Sequence, residues 1–176
     1  MRRKFMLLAV LGLPVILCGQ TPKPVPPQAV ERITREVRHE ILMLPYYDVF
    51  DVIRSSVNGY EVTLTGAVTN PVLKKDAENV VKRIEGVEKV INKIDVLPPS
   101  SMDDGLRLRL FRAIYEFPAL EKYGMPSIKP IRIIVKSGRV SLEGVVDSEA
   151  DKNLAGIRAN TVPGIFAVTN NLFVAK

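Results

Sequence analysis

The sequence predicts an α+β protein made of two tandem two-layer units, each running helix, strand, strand, helix, strand around a three-stranded mixed sheet. The main observation is a repeat: residues 62–68 (VTLTGAV) return 78 residues later as residues 140–146 (VSLEGVV). A fixed offset that persists over about 35 residues indicates one unit used twice. Within each copy, segments whose apolar residues have strand spacing follow segments whose apolar residues have helix spacing. The same offset relates Gly86 to Gly164, Val90 to Val168 and Asn92 to Asn170.

The first unit opens with a helix and a hairpin. Apolar residues recur at helical spacing from Val30 to Leu44, and Pro45 ends the helix. Residues 49–57 are rich in β-branched side chains and predict a strand. We expect Asn58-Gly59 to form a type I′ turn, because both residues accept positive φ. The return strand covers residues 60–68.

A helix and a parallel strand complete the first unit. Asn70 followed by Pro71 is typical of a helix start. Gly86 is expected to take the left-handed conformation after that helix, before a strand over residues 87–97. A strand-helix-strand crossover produces a parallel strand pair. The predicted buried stripe of the helix is Leu73, Ala77, Val80, Val81 and Ile84.

The second unit repeats this order after a Pro-Pro-Ser-Ser linker. Asp103 and Asp104 are expected to cap its first helix, and hairpin strands are predicted over residues 131–135 and 139–146. Ser148 begins a capping-box-like helix that ends at Gly164, before a last strand over residues 165–175. The inward residues are predicted to be Leu106, Leu110, Ala113, Ile114 and Phe117 on the first helix, and Leu154, Ile157 and Val162 on the second.

The chain therefore divides into five predicted segments. Two helices cover only one face of each sheet, so the opposite faces either pack together, meet solvent or meet a partner. Gly66 and Gly144 lie inside strands, where a glycine permits a bulge or the close approach of a helix, and we assign them no ligand role. The segments are an export segment over 1–20, a Pro-rich linker over 21–29, a first domain over 30–97, a linker over 98–102 and a second domain over 103–176.

The first twenty residues resemble an export signal. Arg2, Arg3 and Lys4 precede an apolar stretch over residues 5–17, which is shorter than the roughly 20 residues needed to cross a bilayer. Cys18, the only cysteine, follows Val15-Ile16-Leu17 in a pattern similar to a bacterial lipobox, although the residue before such a cysteine is normally small. Two outcomes stay open: Cys18 is acylated, or it is discarded with an ordinary secretory peptide cut near Gly19 or Gln20.

Composition narrows the class of partner. The chain has 176 residues, 47% of them hydrophobic, and a net charge of +6. Residues 31–97 contain 10 basic and 11 acidic side chains, and residues 103–176 contain 11 and 8. This distribution lacks the concentrated Lys/Arg and stacking aromatics of a nucleic-acid interface. It is compatible with weak attraction to an anionic membrane surface.

No catalytic or cofactor pattern is present in the sequence. His39 lies on the polar face of the first helix without a partner pattern for acid–base chemistry. The carboxylate pairs Asp48/Asp51 and Asp103/Asp104 are too few for a metal site and fit cap and turn roles. Phosphate loops, zinc spacings and nucleophile elbows do not occur in it. The sequence therefore predicts a protein without enzymatic activity, cofactor or metal.

The best candidate surface is on the second unit. Arg109 and Arg112 share a helical face with Glu116, and Arg107 lies beside them. Basic side chains next to apolar ones suit a membrane interface. The alternative is that Phe117 and Leu120 belong to the core and the arginines form a solvated face. The candidate lipid-binding residues are Arg107, Arg109, Arg112, Leu120, Lys122 and Tyr123.

The order of elements and two motifs resemble the BON family (bacterial OsmY and nodulation). One motif is Val-x-Leu-x-Gly-x-Val, at residues 62–68 and 140–146. The other is Gly-[Val/Ile]-x-x-Val-x-Asn-x-[Ile/Leu], at residues 86–94 and 164–172. This resemblance implies a periplasmic or membrane-attached location, binding to anionic phospholipid or to an envelope protein, and a role in envelope integrity or stress tolerance without catalysis. An interaction module without lipid affinity is the rival hypothesis, and the oligomeric state stays open.

Overall fold

The computed structural model describes residues 26–175 and confirms the α+β class with two tandem units. The export segment and Cys18 lie outside these residues. The first unit has α1 (Pro27–Leu42), β1 (Val52–Asn58), β2 (Glu61–Val68), α2 (Pro71–Lys82) and β3 (Lys89–Val96). The second has α3 (Ser101–Tyr115), a 3-10 helix (Glu121–Gly124), β4 (Ile131–Lys136), β5 (Arg139–Val146), α4 (Glu149–Asn160) and β6 (Ala167–Val174).

The 78-residue offset is confirmed element by element. It carries β2 onto β5, α2 onto α4 and β3 onto β6 at both ends of each element. In each unit the hairpin strands are antiparallel and the crossover strand is parallel, with strand orders β1-β2-β3 and β4-β5-β6. The leading helices α1 and α3 begin at Pro27 and Ser101, a few residues before the predicted starts at 30 and 103.

Each unit buries its own apolar core between two helices and one sheet face. In the first unit Ile33 and Val37 of α1 meet Leu64 of β2 and Leu73 of α2, all without solvent exposure. Burying a Leu or Ile side chain contributes roughly 1.5–3 kcal/mol relative to an exposed one. The second core is larger, and it includes Val49 from the first unit.

The repeated asparagine of the BON-like motif joins a helix to a strand. The side-chain amides of Asn92 and Asn170 each donate to a helix carbonyl, of Lys74 and Lys152 respectively, at 2.7 Å. The Asn92 side-chain oxygen also accepts from the Ile94 amide two residues along its strand. These half-buried bonds fix the position of the second helix on the sheet in both units.

The repeated strand glycines are required by a close approach, as expected, but the neighbour is a strand-edge carbonyl and not a helix. Gly66 and Gly144 have φ of +122° and +118°. A Cβ at either position would overlap the carbonyl oxygen of Val52 or of Pro130. Their role is therefore structural. The other two predicted structural glycines, Gly86 and Gly164, also have positive φ, of +86° and +90°.

The turn of the first hairpin differs from the prediction. In the first unit the two-residue loop is Gly59-Tyr60, and only Gly59 has positive φ, at 63°. A glycine with positive φ at the first loop position is typical of a type II′ turn, so the predicted type I′ turn at Asn58-Gly59 is wrong. The second unit has the type I′ pattern, with positive φ at both Ser137 and Gly138.

Asp103 holds this second turn instead of capping α3. Its buried carboxylate accepts hydrogen bonds from the Ser137 and Gly138 amides, each at 2.8 Å. The cap of α3 is Ser100, whose hydroxyl accepts from the Asp103 amide. The predicted caps Asn70 and Ser148 are confirmed for α2 and α4.

The inward face of α4 also differs from the prediction. Ala155, Gly156 and Ala159 are buried, whereas Ile157 is largely exposed. These small residues let α4 lie close to the sheet, and a Cβ on Gly156 would lie 2.9 Å from the Asn170 amide nitrogen. The larger isoleucine therefore points outward.

The two units contact each other through the segment 47–51, which we call the docking segment. The Val49 carbonyl accepts from the Ile133 amide at 2.9 Å, and Arg132 donates to the Asp48 carbonyl at 2.7 Å. Ion pairs between Arg54 and Glu143 and between Asp95 and Lys136 connect the two sheets. By strand alternation all four side chains lie on the faces opposite the helices, so these faces meet each other in part.

Candidate functional site

The structure divides the predicted lipid-binding residues into three environments. Arg107 is only 5% exposed. Its guanidinium donates to the Val135 carbonyl at 2.7 Å and to the Asp104 carboxylate. Arg107 therefore caps the edge of β4 and cannot reach a headgroup, which corrects its assignment to a binding surface.

Leu120, Lys122 and Tyr123 lie near the opposite end of α3. Leu120 and Tyr123 are buried in the second core, so they too are removed from the candidate surface. This outcome matches the alternative that assigned Leu120 to the core. The half-buried Phe117 lies under Arg158, whose guanidinium is 4.6 Å from its ring centre.

Lys122 is exposed but already paired with two carboxylates. Its ammonium lies 2.8 Å from Asp147 and 3.0 Å from Asp151. These hydrogen bonds raise the pKa of Lys122, and the bond to Lys122 lowers the pKa of Asp147. The Tyr123 hydroxyl donates to Asp151 and is the largest cause of that carboxyl's lowered pKa. With one ammonium and two carboxylates the cluster is net negative, so it does not attract anions.

Arg109 and Arg112 stand on the outer face of α3, where both are exposed. Leu108, which directly precedes Arg109 in sequence, is also exposed. The Arg109 guanidinium reaches the α4–β6 connection, because it lies 3.8 Å from the position that a Cβ on Gly164 would take. This arginine therefore belongs to the end of the unit that carries the hairpin turn.

That end carries an apolar and basic cluster that the sequence analysis did not identify. Phe166 is 74% exposed, and its ring covers Gly138 in the turn while its amide donates to the Gly138 carbonyl at 2.9 Å. Met102 is 53% exposed in the first turn of α3, whose neighbour Asp103 binds the same turn. Arg139 begins β5 and is exposed. We call Met102, Arg109, Arg139 and Phe166 the hairpin tip.

The first unit lacks this cluster. The 78-residue offset relates Phe166 to Glu88 and Arg139 to Glu61, and the helix offset of 73 relates Arg109 to Glu36. Glu36 and Glu61 are paired with Arg32 and Lys89 at the equivalent end. At the hairpin tip the second unit therefore has basic and aromatic side chains where the first unit has acidic ones.

Other kinds of site are not apparent within residues 26–175. No cluster of three His, Cys, Asp or Glu side chains able to hold a metal occurs there. Among those same residues no helix is long and apolar enough to cross a membrane. His39 is exposed on α1, and the Asp51 carboxylate is used by the Thr69 amide and hydroxyl at 2.7 and 2.9 Å.

The fold and surface define a duplicated α+β module with an amphiphilic tip. The BON domain pattern matches residues 29–98 and 119–176, and the chain belongs to the BON domain family. Proteins of this family are generally envelope-associated and generally non-enzymatic, and membership indicates an envelope-associated or phospholipid-binding role. No curated protein matches the sequence.

Two solved structures show distant similarity. One is CdsD, a structural protein of the type III secretion system of Chlamydia trachomatis, at 13% identity over 82% of this chain and 94% of that chain, with a TM-score of 0.31. The other is the C-terminal domain of CdsD, at 12% identity over 81% and 96%, with a TM-score of 0.27. At TM-scores this low, the matches carry no conclusion about the function of this chain.

Proposed function

We propose that the protein is an exported, non-enzymatic envelope protein that binds anionic phospholipid headgroups through the hairpin tip of its second unit. Acylated Cys18, in this proposal, supplies a lipid anchor, while the tip supplies headgroup preference and a second membrane contact. The role served is envelope integrity or stress tolerance. The observation that carries the proposal is an exposed Phe166 at the end of the second unit that also holds the exposed Arg109 and Arg139.

The magnitudes favour a membrane surface over free anions as the ligand. Each Lys or Arg near an anionic bilayer contributes about 1 kcal/mol, and this attraction falls off within a Debye length. Transfer of a Phe side chain out of water contributes roughly 1.5–3 kcal/mol. Apolar burial is therefore at least as large as the charge contribution at this tip, and only a bilayer offers both a charged surface and an apolar layer.

Stable attachment needs more than one such contribution. A single lipid chain binds a membrane reversibly, and a second signal such as a basic or apolar patch makes the attachment persistent. A hairpin tip with two basic and two apolar side chains is a signal of this size. In this proposal the lipid anchor at Cys18 and the weak headgroup-binding surface at the hairpin tip act together. The Pro-rich residues 21–28 separate the anchor from the first unit.

Liposome flotation of residues 21–176 tests the proposal, because both cores close within that range. We expect flotation with vesicles containing phosphatidylglycerol, weaker flotation with phosphatidylcholine alone, and loss of the difference at high salt. Phe166→Glu with Arg139→Glu installs the residues of the first unit and should abolish flotation. Phe173→Glu is the matched control, since Phe173 is an exposed phenylalanine of the same unit far along β6 from the tip.

Two results would overturn the proposal. Flotation that survives the tip double variant would place lipid binding elsewhere. Absence of flotation with either vesicle, by a folded protein, would favour the interaction-module hypothesis and leave membrane attachment to Cys18 alone.

A further inference from the structure

In the second unit the outer edge of β4 is covered, because each of its outward-facing residues Ile131, Ile133 and Val135 has one backbone atom bound from outside the sheet. Three groups bind its outward backbone atoms: the Tyr115 hydroxyl donates to the Ile131 carbonyl, the Val49 carbonyl accepts from Ile133, and Arg107 donates to the Val135 carbonyl. Unpaired strand edges are sites where further chains add, and this edge is closed.

The docking segment fills the groove beside that edge. Val49 is 3% exposed within the second core. Phe50 meets Phe111 of α3 edge-on, with ring centres 6.4 Å apart. Residues 48–51 form a turn, in which the Asp51 amide donates to the Asp48 carbonyl at 3.0 Å. The groove between α3 and β4 therefore accepts a short turn with two adjacent apolar side chains.

The first unit has the same groove, and there it is open. The residues equivalent to Phe111, Tyr115 and Ile133 are Arg38 and Leu42 on α1 and Ser55 on β1. All three line a groove of about 580 Å³. Its opposite wall is formed by the second unit and includes three exposed apolar side chains, Ile128, Val145 and Phe173.

The edge of β1 offers backbone groups for pairing. Asn58 and Glu61 form the hydrogen-bonded pair that closes the two-residue turn. Hydrogen-bonded and non-hydrogen-bonded pairs then alternate along the hairpin. Ser55, opposite Leu64, belongs to a non-hydrogen-bonded pair, so its N–H and carbonyl point away from β2. Ser55 thus stands where Ile133 binds Val49. Within residues 26–175, no hydrogen bond from outside the first sheet reaches the Ser55 amide, whereas the Tyr47 hydroxyl already accepts from the Ile53 amide.

The charge of the groove defines its occupant further. Arg38, Arg54, Lys129 and Arg132 line it against one acidic residue, Glu143. The segment in the equivalent groove of the second unit reads Asp48-Val49-Phe50-Asp51, two apolar residues between two acidic ones. The filled groove therefore provides a template for the two apolar side chains, while the basic lining of the open groove favours acidic residues beside them.

We infer that the open groove between α1 and β1 binds a short turn-forming peptide segment of a partner protein, with two adjacent apolar residues flanked by acidic ones. A carbonyl of the segment accepts a hydrogen bond from the Ser55 amide, as the Val49 carbonyl does from the Ile133 amide. Its apolar side chains contact Leu42 and Phe173, and its carboxylates face Arg38 and Lys129. This site is separate from the hairpin tip.

A synthetic peptide with the sequence of residues 46–52 (YYDVFDV) is the probe, with a version carrying lysine for both aspartates as control. The groove of the second unit is occupied by a tethered segment at high effective concentration, so the peptide should bind the first unit. We expect saturable binding to residues 21–176 and amide NMR shifts over residues 34–42 and 52–57. The lysine peptide should not bind.

Two variants locate the contact. Ser55→Pro removes the outward N–H without breaking a bond to β2 and should abolish binding. Arg38→Glu should weaken binding by about tenfold, whereas Arg35→Glu, the same charge change on an exposed residue outside the groove, should not. Amide spectra of each variant establish that the fold is kept. Phe166→Glu should leave peptide binding unchanged, which separates this site from phospholipid binding.

Three outcomes would overturn the inference. Peptide shifts confined to α3 and β4 would show displacement of the docking segment instead. If phosphatidylglycerol vesicles displace the peptide from the Phe166→Glu variant as well, the groove would be assigned to lipid. Concentration-dependent dimers that Ser55→Pro abolishes would assign the groove to a second copy of the chain.

Discussion

The two units share a backbone and differ at two edges. In the first unit the groove beside the leading strand is open, and the hairpin end carries paired acidic side chains. In the second the groove is filled by Val49 and Phe50, and the hairpin end carries Phe166 and Arg139. The two units thus share a framework and differ in their exposed ends, and the proposals of peptide binding by the first unit and membrane binding by the second rest on these differences.

Substitutions of the strand glycines that the two units share should destabilise both units to a similar extent. Gly66→Ala and Gly144→Ala place a Cβ against a carbonyl oxygen at positive φ, so each should destabilise its own unit by more than about 3 kcal/mol. Hydrogen exchange resolved by residue measures the loss unit by unit. Gly105→Ala, where the nearest contact is a flexible arginine end at 3.5 Å, is the matched control. Tolerance of either strand substitution would contradict a common framework.

A substitution in the docking segment, which fills a groove in the second unit only, should lower the stability of that unit alone. Val49→Ala removes buried side-chain volume from the second core, so it should destabilise the second unit by about 2 kcal/mol although Val49 belongs to the first. Denaturation followed by NMR signals of each unit measures this effect. Ile128→Ala changes the half-exposed residue equivalent to Phe50 and should have little effect. Loss confined to the first unit would disprove the docking role.

The smallest effect is expected from the ion pair that connects the sheets. Burial alone would raise the pKa of Glu143, but hydrogen bonds from Ser141 and Asn171 and the charge of Arg54 lower it below its usual 4.5. A lowered folded-state pKa means that the carboxylate stabilises the fold above about pH 4.5 and that this stability is lost as the pH falls further.

Urea denaturation of the wild type and of Glu143→Gln over a pH series tests this dependence. The two proteins should differ in stability near neutral pH and converge below pH 4.5. A constant difference across the series would show that Glu143 acts through packing and not through charge.

The framework could be predicted from sequence because its signals are local. A repeated offset, Asn70 before Pro71 and strand alternation locate β2, α2 and β3 and their copies. The filled groove could not be predicted, because no local pattern in the sequence indicates that Val49 of the first unit packs in the core of the second. Ile157 was placed inward for the same reason: periodicity does not reveal that a small-residue face lets α4 approach the sheet.

The hairpin tip was missed although its signal was present. Phe166 and Arg139 differ in charge or polarity from Glu88 and Glu61, their equivalents at the same offset, and residues that match between the copies do not reveal this difference. Differences between copies were therefore more informative about function than their similarities.

The closed edge of β4 has a consequence for how the chain is made and dissected. The first unit holds every residue of its own core and leaves the ribosome before the second, so its segment around Val49 is in place when β4 emerges. A fragment starting near residue 98 would lose that segment and expose a bare apolar strand edge. The second unit thus depends on the first to cover the edge of β4 as it folds. A fragment that contains the second unit alone would tend to aggregate.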